Sequence, residues 1–189
     1  MNSNSEKQLV EAAQKGCVES FGALYEHYYS SIAALAYSVL GDRQLAEDAA
    51  QEVFAIACKD IADLKSKEKF AAWLAGICRN TVKQMLRMNR NNLVGQTNKS
   101  AADSLLTRLK TESRSDGDDL NTTIKEALSN LKDSERELIT LRYYDNLPYE
   151  RIASVLGIST QAVHGRLTRV KRKIAKYLKR NGVTGDDYE

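Results

Sequence analysis

The stretch Gln161 to Lys176, QAVHGRLTRVKRKIAK, carries Arg166, Arg169, Lys171, Arg172, Lys173 and Lys176 and no Asp or Glu. The whole chain has a formal net charge of only +3, so this is a local concentration of positive charge. Cations without acidic neighbours one helical turn away gain nothing from pairing within their own helix; they suit a polyanion. The residues just upstream, YERIASVLGIS, could position them. Ala153 is small enough for two helices to approach, Gly157 can take the left-handed conformation of a tight turn, and Ile158 can plug the corner. Ile152, Val155 and Leu156 form one apolar stripe, and Val163, Leu167 and Val170 form the facing one. That is the physical content of a helix-turn-helix.

With those stripes inward, Thr160, Gln161, His164, Gly165, Thr168, Arg169 and Lys171 must face out. Hydroxyls and amides can read base edges, and Arg and Lys can meet guanine or phosphate. An exposed Gly165 in mid-helix costs about 1 kcal/mol relative to Ala; close approach to DNA is one reason to keep it. A merely solvated basic helix is the alternative reading of the same run.

The elements around this segment read as helices. The 189 residues, 42% hydrophobic, suffice for one domain or two small ones. Pro148 is the only proline, and no run alternates with period two, so an all-α fold is expected. Helical periodicity begins at Glu6 and is broken at Gly16. It resumes over Val18–Leu40, stops at Gly41, and continues from about Gln44 to Ile61 and from about Lys69 to Met88. Residues 89–120, rich in Asn, Ser, Asp, Gly and Thr, read as a flexible linker, and the final NGVTGDDYE reads as a loose tail. Two small helical domains, 6–88 and 121–180, follow. In the second, Ser134 and Glu137 have the spacing of a capping box, and Pro148 fits the start of the next helix.

Other chemistry is not indicated. Cys17, Cys58 and Cys78 are odd in number and contain no CxxC pair, and His27 and His164 lie far from them in sequence, which predicts neither a disulfide framework nor a zinc site. No nucleophile–base pair, glycine-rich phosphate loop or ligand cluster is found, so neither enzyme activity nor a cofactor is expected. The start has no charged-then-apolar leader, and no apolar run approaches a membrane span; the expectation is a soluble cytoplasmic protein without membrane insertion.

The first domain holds a second constellation. LAEDAAQEVFAIA, residues 45–57, has an acidic face, and FAAWLAGICRNTVKQML, residues 70–86, pairs Phe70 and Trp73 with exposed Arg79, Asn80 and Lys83. The former could dock a basic or polar partner, and the latter suits single-stranded nucleic acid; each is equally readable as the polar face of a core helix.

GDRQLAEDAAQEVF, then FAAWLAGICRN, then LRYYDNLPYERIASVLGISTQAVHGRLTRVKRKI, in this order and across a polar linker, resembles the extracytoplasmic-function group of the sigma-70 family of bacterial RNA polymerase sigma factors. The resemblance covers about residues 6–180. It implies a first domain (region 2) that docks on core RNA polymerase and melts and reads the −10 element. It also implies a second (region 4) that reads the duplex −35 element. By position, Glu47, Asp48, Gln51 and Glu52, supported by Phe54, would form the docking face. Leu64, Lys65, Ser66, Lys67 and Lys69 with Arg79, Asn80, Lys83 and Arg87 would meet the −10 strand. Arg142, Ser159, Thr160, Gln161, His164, Gly165, Arg166, Thr168, Arg169, Lys171 and Arg172 would meet −35 DNA. An anti-sigma protein is a further partner common in the group.

Two departures bear on specificity. The loop DLKSKEKF has Leu64, Lys65 and Ser66 where the family more often has an aromatic followed by Arg-Gly. His164 stands where many members carry Lys or Arg, which points to a base rather than a phosphate contact. The alternatives are a stand-alone helix-turn-helix regulator, binding its operator without polymerase, and a helical adaptor that binds only protein.

Overall fold

The computed structural model describes residues 3–92 and 118–183. The described residues are helical, with no strand among them. Most of the expected linker, the first two residues and the end of the tail lie outside this range.

Helices α1 (Ser3–Gln14), α2 (Val18–Leu40), α3 (Arg43–Asp60) and α4 (Phe70–Asn92) form the N-terminal bundle. α4 runs past Met88, where the periodicity alone had placed its end. Helices α5 (Asp118–Ser129), α6 (Asp133–Ile139), α7 (Tyr149–Leu156) and α8 (Thr160–Arg180) form the C-terminal half; a wider π-type turn, Thr140–Tyr144, prolongs α6. α2 is the hub: it packs on α1, α3 and α4, and also on α6 and the π-turn. Leu24, Tyr28, Ile32 and Leu35, at spacings of three and four, are essentially inaccessible to solvent. Each such aliphatic side chain contributes about 1.5–3 kcal/mol of burial free energy.

The breaks follow local chemistry. α2 ends at Gly41, whose φ of 66° is left-handed and whose N–H donates to the Tyr37 carbonyl. Asp42 then caps α3, its carboxylate accepting from the Leu45 N–H at 3.0 Å. The thiol of Cys78, buried between α4 and α2 and directed at the Ile32 carbonyl, is pushed up to about 12 by that burial.

One local expectation is corrected. Ser134 does not cap α6. The helix begins at Asp133, and it is the Glu135 carboxylate that accepts from the Lys132 N–H, at 2.8 Å. Glu137 is instead buried, 7% exposed, and points out of the second half toward the first.

The two halves are packed together. α7 lies on α4, and the Gly157 turn approaches so closely that a Cβ there would stand 3.5 Å from the Ala72 Cβ. The Arg79 guanidinium meets Glu137 in a fork, Nε to Oε1 and Nη2 to Oε2 both at 3.1 Å. Tyr37 stacks on Tyr144 with ring centroids 5.0 Å apart. The Arg151 guanidinium sits 4.3 Å from the centre of the Tyr28 ring and donates to the His27 carbonyl.

Burial, reinforced by the charge of Arg151, lowers the His27 imidazole from 6.5 to about 4. A base depressed in the folded state leaves stability untouched above its unfolded value. As pH falls from 6.5 toward 4, the unfolded chain takes the proton first and stability is lost. The urea midpoint is therefore expected to hold steady from pH 8 to 7 and to decline between about pH 6.5 and 4. In His27→Gln the decline across that window should flatten; an equal decline in the variant would dissociate it from His27.

Candidate nucleic-acid interface

The C-terminal surface is built on the α7–α8 corner. Gly157, φ 65°, closes α7. The Ile158 N–H donates back to the Ala153 carbonyl at 3.0 Å and the Gly157 N–H to that of Ser154 at 3.3 Å. This is the paired-bond ending that a left-handed glycine permits. Ser159 then starts α8, its hydroxyl oxygen accepting from the Ala162 N–H at 3.1 Å. The buried stripe is Val163, Leu167 and Val170.

Given that stripe, Thr160, Gln161, His164, Arg169, Lys171 and Arg172 are exposed, and Gly165 and Thr168 are half-buried. The Thr168 hydroxyl donates to the His164 carbonyl at 3.0 Å, and Arg169 Nε to that of Gly165 at 3.2 Å. A Cβ at 165 would meet nothing nearer than the Arg169 guanidinium, at 4.0 Å, so packing within the chain does not require glycine there. Arg166 is exposed as well, and it also lines the cleft against α4.

Two aromatic residues that periodicity passed over organise this surface. Arg142 lies 5.2 Å from the centre of the Tyr149 ring and donates from Nη1 to the Leu147 carbonyl at 2.9 Å. The same ring meets His164 edge to face at 5.8 Å. Lys171 Nζ stands 5.4 Å from the centre of the Tyr143 ring, which is 50% exposed. Tyr149 thus brings Arg142 beside His164 of α8, Tyr143 meets Lys171, and each cation gains from the ring quadrupole. The signal was the aromatic clustering in YYDNLPY.

In the N-terminal half, Asp48, Gln51 and Glu52 are exposed on α3, and Glu47 is half-buried and paired with Arg43 at 2.9 Å. Beneath them Phe54, 3% exposed, meets Tyr25 edge to face at 4.7 Å and lies 6.4 Å from both Phe21 and Tyr29. Tyr25 remains exposed. An acidic rim thus lies beside a rigid aromatic group; the periodicity of α2 marks Tyr25 as a core position and passes over Tyr29.

The loop before α4 is fastened to α1. The Leu64 carbonyl accepts from Gln14 at 2.9 Å, Lys67 pairs with Glu11 at 3.0 Å, and Glu68 pairs with Lys7 at 2.9 Å. Leu64 packs partly against the core, whereas Lys65, Ser66 and Lys69 are exposed. On α4, Asn80, Lys83 and Arg87 are exposed. Arg79 and Lys83 line the cleft against the second half, and Arg79 is already paired there. The candidate −10 residues therefore divide: the loop and Asn80 are not in that cleft, while Arg79 and Lys83 are. Among the described residues, no group of three or more His, Cys, Asp and Glu could hold a metal, and no helix is long and apolar enough to cross a membrane.

Comparison with known proteins bears on both halves. Residues 24–92 match the model of Sigma-70 region 2, and residues 122–174 match that of Sigma-70 region 4. The RNA polymerase sigma-H factor of Pseudomonas aeruginosa is 28% identical over 186 residues, 94% of this chain and 96% of its own length. The ECF RNA polymerase sigma factor BldN of Streptomyces coelicolor is 28% identical over 181 residues, 90% of this chain. The chain spans 65% of BldN and 42% of a second curated relative. The solved structure of CnrH in complex with the cytosolic domain of CnrY superposes with a TM-score of 0.55 at 23% identity, covering 93% of this chain and 98% of CnrH; it shares the fold. With both conserved regions matched in order, on a bundle and a helix-turn-helix, the chain belongs to the sigma-70 family and within it to the extracytoplasmic-function group.

Proposed function

We propose that this protein binds bacterial core RNA polymerase and directs it to promoters that carry particular −10 and −35 elements. The observation that carries the reading is the presence in one chain of two unlike surfaces. One is an acidic face on α3 over an aromatic group. The other is an outward basic face on the α8 of a helix-turn-helix. The first suits a protein partner and the second suits duplex DNA. A stand-alone regulator would use only the second.

The mechanism is binding without covalent chemistry. Arg169, Lys171 and Arg172 would release counterions from the duplex, giving a salt-dependent affinity that does not depend on sequence. Gln161, His164 and Thr168 would supply base-edge contacts beside them. In the first half, Lys65, Ser66, Lys69 and Asn80 would hold the separated strand, offsetting an unstacking cost of about a few kcal/mol. An anti-sigma protein is a partner that membership of the group suggests.

Run-off transcription tests the reading: core polymerase with and without this protein, on a pool of promoter fragments. New discrete transcripts whose templates share two upstream elements at fixed spacing are expected. A footprint by the protein alone with no transcript would point to the stand-alone regulator.

Two substitutions should separate the surfaces. Asp48→Ala should weaken core polymerase binding about two- to tenfold, with the deficit shrinking as salt is raised. Arg169→Ala should weaken duplex −35 binding by about 1–3 kcal/mol, roughly 5- to 160-fold, with polymerase binding intact. Equal effects of both variants on both measurements would remove the assignment.

A further inference from the structure

Lys7, Glu11 and Gln14 are spaced by four and three residues, so they form one stripe along α1. Opposite the stripe runs the segment between α3 and α4, and its partners come in reverse order. Lys7 pairs with Glu68 at 2.9 Å and Glu11 with Lys67 at 3.0 Å. The Gln14 carboxamide donates from Nε2 to the Leu64 and Ile61 carbonyls, both at 2.9 Å. The segment is thus laid antiparallel along α1, through the two short 3-10 turns Ile61–Asp63 and Lys67–Lys69. Its ends are held differently, by Ile61 and Phe70 buried in the bundle core.

Half-exposed ion pairs add little to stability. What this set supplies is register. The signs alternate on both sides: a cation then a carboxylate along α1, and a carboxylate then a cation along the segment read in reverse. Sliding the segment by one residue would set Lys67 against Lys7 in one direction, or Glu68 against Glu11 in the other, and like charges repel. Lys67 holds the Glu11 carboxyl below its ordinary range, and Lys7 does the same for Glu68, so both pairs stay charged at neutral pH. Gln14 fixes the turn that the Leu64 N–H closes on the Ile61 carbonyl. With Lys67 and Glu68 engaged by α1, Lys65, Ser66 and Lys69 are left exposed.

We propose that Lys7, Glu11 and Gln14 of α1 are positioning residues for the −10 loop: they set the register in which Lys65, Ser66 and Lys69 meet the separated strand, and Lys67 is an anchor rather than a strand contact. A loop read out by a ligand is selective only as far as its supporting shell holds it in place. This rests on the promoter reading given above and deepens it.

The test uses core polymerase with the full chain. Run-off transcription is read on templates whose −10 element is randomised, and base preference is taken from the sequences transcribed. Binding of the same chains to −35 duplex is measured in parallel. Gln14→Leu removes both bonds to the turn. Lys7→Glu with Glu11→Lys keeps the net charge, opposes like charges at both pairs and favours a loop slipped by one residue. Each variant should lower discrimination at the −10 element about three- to tenfold, part of what one base contact supplies, with duplex binding unchanged. Adding Lys67→Glu and Glu68→Lys to the charge exchange on α1 restores both pairs with their signs reversed, and it should recover the wild-type preference. Wild-type preference in both Gln14→Leu and the α1 exchange would overturn the proposal. So would failure of the full exchange to recover it, or an equal loss of duplex binding. No transcript from the wild-type chain overturns the promoter reading itself; transcripts with unchanged preference in the variants overturn only the role of α1.

Discussion

A helix that must be buried on more than one side governs this structure. α2 packs on three helices of its own bundle and then on α6 and the π-turn of the other half. It cannot be amphipathic in the ordinary sense, and its sequence shows how the conflict is met. Leu24, Tyr28, Ile32 and Leu35 fill the bundle core, while Ala34, Ala36, Ser31 and Ser38 are buried small residues that let neighbours approach. The Ser38 hydroxyl is satisfied within the helix by the Leu35 carbonyl at 2.7 Å. Both candidate surfaces hang from this element. Tyr25 and Tyr29 of α2 support the acidic face of α3, and Tyr28, through the Arg151 guanidinium, touches the helix that leads into the α7–α8 corner.

Much of this was legible in the residues. The span Val18–Leu40 follows from periodicity and a terminal glycine, because both signals are local and agree. The α7–α8 corner was equally clear, since Ala153, Gly157 and Ile158 each have one structural reason to stand where they do. What failed to show was long-range. Glu137 has the right offset from Ser134 for a capping box, and nothing local distinguishes that role from pairing with Arg79, 58 residues away. Glu135 took the capping role because the helix starts one residue before Ser134. Tyr149 likewise gives no periodic signal of its task, which is to stand between Arg142 of the π-turn and His164 of α8.

Candidate DNA contacts were legible by type and less so by direction. Arg79, Lys83 and Arg87 look alike in sequence, yet the first two line a cleft between the halves. Arg166 and Arg169 lie three residues apart on α8 and face different neighbours. Positive charge alone announces affinity for a polyanion; which cation is available depends on where the other half of the protein rests. Sequence patterning reports a helix face only relative to its own core, and here a second half-molecule covers part of what patterning leaves outward.

The open space above Gly165 has an evolutionary reading. Among the described residues outside its own helical backbone, only the tip of Arg169 comes within 4 Å of where its side chain would begin, and alanine there would favour the helix by about 1 kcal/mol. Packing among the described residues therefore does not call for glycine at this point. A single methyl at residue 165 would alter the outward contour of α8 while leaving the scaffold no worse and slightly firmer. Surface shape at this point is thereby uncoupled from stability, and residue 165 can vary without a compensating change in the core.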